Sequence, residues 1–187
     1  MLRPGRYHPQ KDYATLMAAA SELATSCPSA VWVLCGDGVD EENSALVDLL
    51  PVGGGRDRVR LLGPRHDMHR LYSAADLVVS SSSYGEGLPL VLGEGMALGL
   101  PAVATDVGDA ASVVDGAGHV VPPRDPAALA EGVRSVLAAP AVERKRLASA
   151  ARSHIADNFG LGAMVRAYEQ LYEQLAGAGA DAGAAAS

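Results

Sequence analysis

The sequence predicts an α/β protein, an open Rossmann-like parallel sheet flanked by helices. Short runs rich in valine and leucine alternate with longer amphipathic runs, the strand–helix order that builds an open sheet. The short runs are apolar almost throughout, as in strands buried on both faces. The chain has 187 residues, of which 49% are hydrophobic and only 4% aromatic, so one ordinary domain is expected with a core filled mostly by Val, Leu and Ala.

The first strand is the weakest. The glycine-ended turn Pro4-Gly5-Arg6 arrives after three residues, where a doubly wound sheet normally has a strand. Little strand is expected before it, and the chain reads as part of a longer polypeptide. Strands are expected at 31–35, 59–62, 76–80, 101–105 and 119–121, and helices at 11–25, 41–50, 67–74 and 89–98. Past residue 124 the pattern turns helical. Asp125 is an N-cap candidate followed by Pro126 at the first helical position. Leu129, Val133, Val136 and Leu137 then share one helical face, and Pro140 ends the run. A further helix is expected at 141–157. The last, at 161–176, carries Met164, Val165, Tyr168, Leu171, Tyr172 and Leu175 in one stripe that needs a surface to pack on, in this domain or another. Residues 177–187 are Gly and Ala apart from Asp181 and Ser187, and are expected to be a disordered tail beyond a domain spanning 1–176. There are no internal repeats.

The formal net charge of −7 argues against nucleic acid as a partner. Cys27 and Cys35 form no CxxC pattern and read as reduced structural thiols. No metal site and no metal cofactor is expected. With neither an apolar leader in the first six residues nor a run of the ~20 apolar residues that crosses a bilayer, the expected location is cytoplasmic. The run Glu143-Arg144-Lys145-Arg146 reads as a solvated helix face, with weak association at a membrane surface as the alternative. The five histidines are scattered and read as surface or turn residues, His8 being nearest the chemistry described next. Asp67 reads as a helix cap.

The densest signal runs from Tyr84 to Ala97, after the serines Ser80 to Ser83. It is a glycine-containing loop entering a helix at about Leu88 or Pro89. Such a helix start offers free N–H groups and a positive dipole end, a natural seat for phosphate. Glu86 stands just before it and Glu94 about two turns in. Neither carboxylate suits a phosphate, and both suit sugar hydroxyls. Gly93 and Gly95 flank Glu94, and each costs a helix about 1 kcal/mol relative to Ala. Either a close ligand or close helix–sheet packing accounts for them. A second signal is Gly5-Arg6-Tyr7-His8-Pro9-Gln10-Lys11, in which two cations on a proline-containing turn can clamp a diphosphate.

Together these residues resemble the C-terminal domain of GT-B-fold glycosyltransferases in the large retaining glycosyltransferase family four. The family's paired glutamates, with seven residues between them, appear as Glu86 and Glu94 within EGLPLVLGEGMALGLPAVATDVG, and its Gly-Arg with a following Lys as Gly5, Arg6 and Lys11. Its glycine turn appears as Cys35-Gly36-Asp37-Gly38. The ordered series continues with Val59-Arg60-Leu61-Leu62-Gly63 and Ala75-Asp76-Leu77-Val78-Val79. The resemblance runs from Gly5 to about Leu175.

It implies that Arg6 and Lys11 hold the donor diphosphate and stabilise charge on the leaving group. Glu86 would complete the catalytic set by contacting donor-sugar hydroxyls. Backbone N–H groups at Leu88, Leu90 and Val91 would cradle the distal phosphate, which Pro89 cannot do. Glu94 would bind the ribose. Main chain near Leu62 and Gly63 would read the base, with Arg65 beside it, and Gly5 and Gly87 belong to the same donor-binding set. The donor would be a UDP- or GDP-linked sugar and the configuration would be retained. An N-terminal acceptor domain, supplied in cis or in trans, would be the partner needed for turnover. Two departures stand out: Gly93 and Gly95 replace the family's usual apolar residue and Ala, and Ser112 stands where it often has Glu. The rival reading is a truncated or degenerate module that binds a nucleotide or a partner without catalysis. A GT-B-fold epimerase or phosphorylase is a further option; phosphorylases of this architecture use pyridoxal phosphate on a lysine, and neither Lys11 nor Lys145 sits in a matching motif.

Overall fold

The computed structural model describes residues 1–184, with side chains throughout except at 53, 54 and 177–184. Six parallel strands form one sheet in the order β3-β2-β1-β4-β5-β6. The strands are β1 (Leu2–Pro4), β2 (Trp32–Cys35), β3 (Val59–Leu61), β4 (Val78–Ser80), β5 (Ala102–Thr105) and β6 (Gly118–Val121). The three residues before Gly5 are therefore a strand, and a central one. Leu2 N donates to Leu77 O at 3.0 Å and Val33 N to Met1 O at 2.9 Å, so β1 is tied on both sides. Its neighbours compensate for its shortness.

The helices are α1 (Tyr13–Ser26), α2 (Ser44–Val47), α3 (Met68–Ser73), α4 (Leu90–Ala97), α5 (Ala110–Val114), α6 (Pro126–Ala138), α7 (Ala141–Asn158) and α8 (Leu161–Ala184). Strand side chains alternate between two cores, as a pleated strand requires. Val79 and Val103 meet α1 and α6 on one face. Val78, Ala102 and Ala104 meet α4, α5 and α7 on the other. Asp125 caps α6 as expected, its carboxylate accepting from Ala128 N at 2.9 Å with Pro126 next.

Several expectations are corrected. The edge strands β3 and β6 are not buried on both faces, because an edge has a neighbour on one side only and helices cover it incompletely. The helix expected at 41–50 shrinks to α2. The Asp40 carboxylate accepts from the N–H groups of Glu42 and Asn43, a turn that competes with helix, and Asn43 starts the helix late by capping Leu46 N. The short α5 was not foreseen. Asp67 sits at the N-cap position of α3 but caps nothing, because its carboxylate is taken by Arg65. His154 is no plain surface histidine: it ties α7 to α5 through Ser112 O at 2.9 Å and Asp115. α8 spans Leu161–Ala184, past the helix end expected at 176. Residues 185–187 of the expected tail lie outside the described residues. The stripe of α8, from Met164 to Leu175, is exposed. No described helix is long and apolar enough to cross a membrane. In the basic run of α7, Arg146 pairs with Glu143, and Arg144 donates to Ala139 O at 2.8 Å.

Candidate functional site

β1 and β4 lie side by side, yet the chain leaves them in opposite directions, toward α1 on one face and α4 on the other. The reversal opens a crevice at the C-terminal ends of the strands, where open α/β sheets bind ligands. Two loops meet there, and both carry the residues singled out from the sequence.

The loop after β1 spans residues 5–11. Gly5 N donates to Cys35 O and Tyr7 N to Asp37 O, both at 2.8 Å. Pro9–Lys11 form one turn of 3-10 helix, capped by the His8 ring, which accepts from Gln10 N at 3.2 Å, so His8 is a turn residue. Gly36 makes the close approach possible. Its φ is +142°, and a Cβ there would lie 2.5 Å from the Gly5 carbonyl.

The loop after β4 starts at Ser81. It is bound to the first loop by Ser81 Oγ donating to Lys11 O at 2.8 Å, Ser83 N to Gln10 O at 2.9 Å, and Gln10 Nε2 to Gly85 O at 2.6 Å. Lys11 Nζ forms a salt bridge with Glu86 Oε1, which also accepts from Ser82 Oγ at 2.5 Å. Burial alone would raise the Glu86 carboxyl. Hydrogen bonds from Lys11 and Ser82, with the charges of Lys11 and Arg3, outweigh it and hold the group below the usual carboxylate range. Beneath this loop Gly108, at φ +59°, leaves no room for a Cβ, which would sit 2.2 Å from the Glu86 carbonyl oxygen.

α4 begins at Leu90, slightly later than expected. Gly87, Leu88 and Leu90 are exposed, and the N–H groups of Leu88, Leu90 and Val91 find no acceptor among the described residues. Glu94 is exposed on α4, and its Oε2 accepts a 2.7 Å hydrogen bond from the buried Tyr72 hydroxyl. Burial, reinforced by that carboxylate, pushes the Tyr72 phenol up, so it stays a donor. The two odd glycines separate. A Cβ at Gly95 would meet Val78 at 3.0 Å, so close packing on β4 explains that glycine. A Cβ at Gly93 meets nothing within 4 Å. Gly93 borders a cavity of about 170 Å³ that Leu88, Leu90, Val113, Ile155 and Phe159 also line.

The remaining positions are dispersed. Arg6 is exposed and forms no ion pair among the described residues. Leu62 and Gly63 follow β3, where Gly63 N donates to Val39 O at 2.8 Å and Gly36 N to Gly63 O at 2.9 Å. The Arg65 fork, exposed at the surface, is engaged by Asp67 through two 2.8 Å bonds. The sequence reading missed Arg3, Gln10, Tyr13, Tyr72, Ser81 and Ser82. The serine run was visible but passed as a strand end. Among the described residues no three His, Cys, Asp or Glu side chains are grouped to hold a metal ion. A cavity of about 650 Å³ opens between Met1, Val31, Asp76 and Arg144, at the N-terminal ends of the central strands.

Residues 1–139 match the family model of the glycosyl transferases group 1. An exopolysaccharide phosphotransferase of Streptomyces coelicolor is 32% identical over 178 residues, covering 94% of this chain and 18% of that protein. A D-inositol 3-phosphate glycosyltransferase of Salinispora tropica is 35% identical over 180 residues, covering 90% of this chain and 36% of that protein. The crystal structure of Anabaena HepE in complex with UDP and glucose superposes with a TM-score of 0.76 at 27% identity, covering 94% of this chain and 48% of that one. This chain thus spans less than half the length of each. The strand order, the loops joined by Lys11 and Glu86, and the family match over most of the sequence agree: the chain belongs to the glycosyl transferases group 1 family.

Proposed function

We propose that this chain is the donor-binding half of a retaining GT-B glycosyltransferase of family four, taking a UDP- or GDP-linked sugar and completing transfer only with an N-terminal acceptor domain. The observation that carries the reading is the meeting, at the sheet's switch point, of a two-cation loop with the unclaimed N–H groups at the start of α4. Cations and oriented N–H groups on the two sides of one crevice fit a diphosphate. The relative crystallised with UDP and glucose supports the same ligand class.

Arg6, exposed and without an ion-pair partner, swings onto the diphosphate. Lys11 exchanges part of its Glu86 contact for a phosphate oxygen, which leaves Glu86 to accept from sugar hydroxyls. Leu88, Leu90 and Val91 donate main-chain N–H groups, with Gly87 keeping the approach open. Glu94, steadied by Tyr72, accepts from the ribose. Leu62 and Gly63 present main chain to the base, and Arg65 contributes only once Asp67 releases it. In the reaction the bond from the sugar's anomeric carbon to the diphosphate oxygen breaks, and an acceptor hydroxyl bonds to that carbon on the same face. Its proton passes to the departing diphosphate. The cations and N–H groups stabilise the charge that develops there. The acceptor domain closes the crevice, and the exposed stripe of α8 gives it a surface to pack on.

Calorimetric titration with UDP, GDP and ADP tests the reading. One nucleotide should bind saturably. Lys11→Ala and Glu94→Ala should each weaken it about 10- to 100-fold, the size of a lost hydrogen bond to a charged group. No binding of any nucleotide, even with the acceptor half added, would favour the non-catalytic module instead.

A further inference from the structure

Arg3 is the one charged residue in the buried interior of the described chain, at 1% exposure. A cation there is unfavourable unless it is paired. Yet no carboxylate lies within ion-pair distance of it among the described residues. Its fork is aimed at three neutral oxygens. Nη1 donates to Tyr13 Oη at 2.7 Å and Gly5 O at 3.3 Å, and Nη2 donates to Lys11 O at 2.7 Å. Tyr13 Oη in turn donates to Gly5 O at 2.6 Å, and the guanidinium carbon stands 4.2 Å from the centre of the tyrosine ring. The carbonyls at the two ends of the 5–11 loop therefore hang from one rigid fork. Nε is left without a partner, so the guanidinium is oriented for the loop rather than for its own satisfaction. A leucine or methionine would fill the same space. Only a planar, multi-donor group can fix the span between two carbonyls.

We propose that Arg3, seconded by Tyr13, is the positioning residue that sets the spacing and aim of Arg6 and Lys11, a role that rests on the donor-site reading above. Arg3 does not touch the ligand. It holds the backbone from which the two ligand-facing cations depart.

The test uses the whole chain and the variants Arg3→Met, Arg3→Lys and Tyr13→Phe. Hydrogen exchange should quicken at least tenfold at the bonded amides of Gly5, Tyr7, Lys11 and Asp12 in Arg3→Met and Tyr13→Phe, with the β5 amides unchanged. Titration with UDP, GDP and ADP, each beside its nucleoside, should show diphosphate affinity falling about tenfold and nucleoside affinity unchanged. Arg3→Lys keeps the charge without the fork and should recover less than half of that loss. If Arg3→Met does not fold, Tyr13→Phe, which keeps the ring, carries both readouts. Unchanged loop exchange, full recovery by lysine, or equal loss for nucleoside and diphosphate would overturn the proposal. Absence of nucleotide binding to the unaltered chain would instead defeat the donor-site reading, and the exchange measurement would still decide whether Arg3 holds the loop.

Discussion

The two loops at the switch point are built in opposite ways. The loop after β1 carries two cations, Arg6 and Lys11, and is fixed from beneath: Arg3, Tyr13 and Ser81 grip its carbonyls, and His8 caps its turn. The loop after β4 leaves backbone donors unclaimed. Its N–H groups at Leu88, Leu90 and Val91 find no acceptor among the described residues, and its support is a glycine, Gly108, pressed against the Glu86 carbonyl. Mobile charged side chains need a rigid base to aim them. An N–H cradle needs only that nothing else claims or displaces it.

The comparison is broken most severely at Gly108. Gly108→Ala places a Cβ against fixed backbone at a left-handed φ. It should lower stability by about 2–4 kcal/mol in urea unfolding and abolish nucleotide binding, because the acidic loop must move. The opposite result is expected at Arg6. Arg6→Ala should leave the unfolding midpoint unchanged, as the side chain is exposed and unpaired, and weaken diphosphate binding about tenfold in calorimetry.

Between them lies Glu86, the point where the loops join. Its folded carboxyl titrates below the ordinary value of 4.5, so its contribution to stability is complete above that pH and is lost as the pH falls through the depressed folded value. Melting temperature followed downward from pH 6 should therefore fall more steeply for the wild type than for Glu86→Gln. Parallel curves would remove the salt bridge from the account. The smallest effect separates the two glycines of α4. Gly93→Ala should stabilise by up to about 1 kcal/mol in urea unfolding, since the space is open and alanine favours helix. Gly95→Ala should fall below it by about 1–2 kcal/mol, because buried Val78 stands in the way.

Much of this was legible in the sequence, for physical reasons. Buried central strands such as β4 and β5 must be continuously apolar, so they announce themselves. Asp125-Pro126 names a helix start with one side chain and one ring. The glutamate pair and the Gly-Arg-Lys series were visible as local motifs, and the structure brings Lys11 and Glu86 of the two together. What escaped depends on contacts between distant segments. β1 is too short to show a pattern and exists because β2 and β4 pair with it. The Arg3 fork, the Tyr72 bond to Glu94 and the Ser81 bond to Lys11 each join separate elements, and no local spacing encodes them. Asp67 misled for a related reason: it looked like a cap and proved to be the ion-pair partner of Arg65, two residues before it.

The central claim is that both loops close on one diphosphate. Backbone amide shifts followed by NMR during titration with UDP, GDP and ADP test it most directly. The account predicts that one nucleotide moves the amides of Arg6 and Lys11 together with those of Leu88, Leu90 and Val91, saturating at a single concentration. Shifts confined to one loop, or gathered at the N-terminal ends of the strands around Val31 and Asp76, would contradict it.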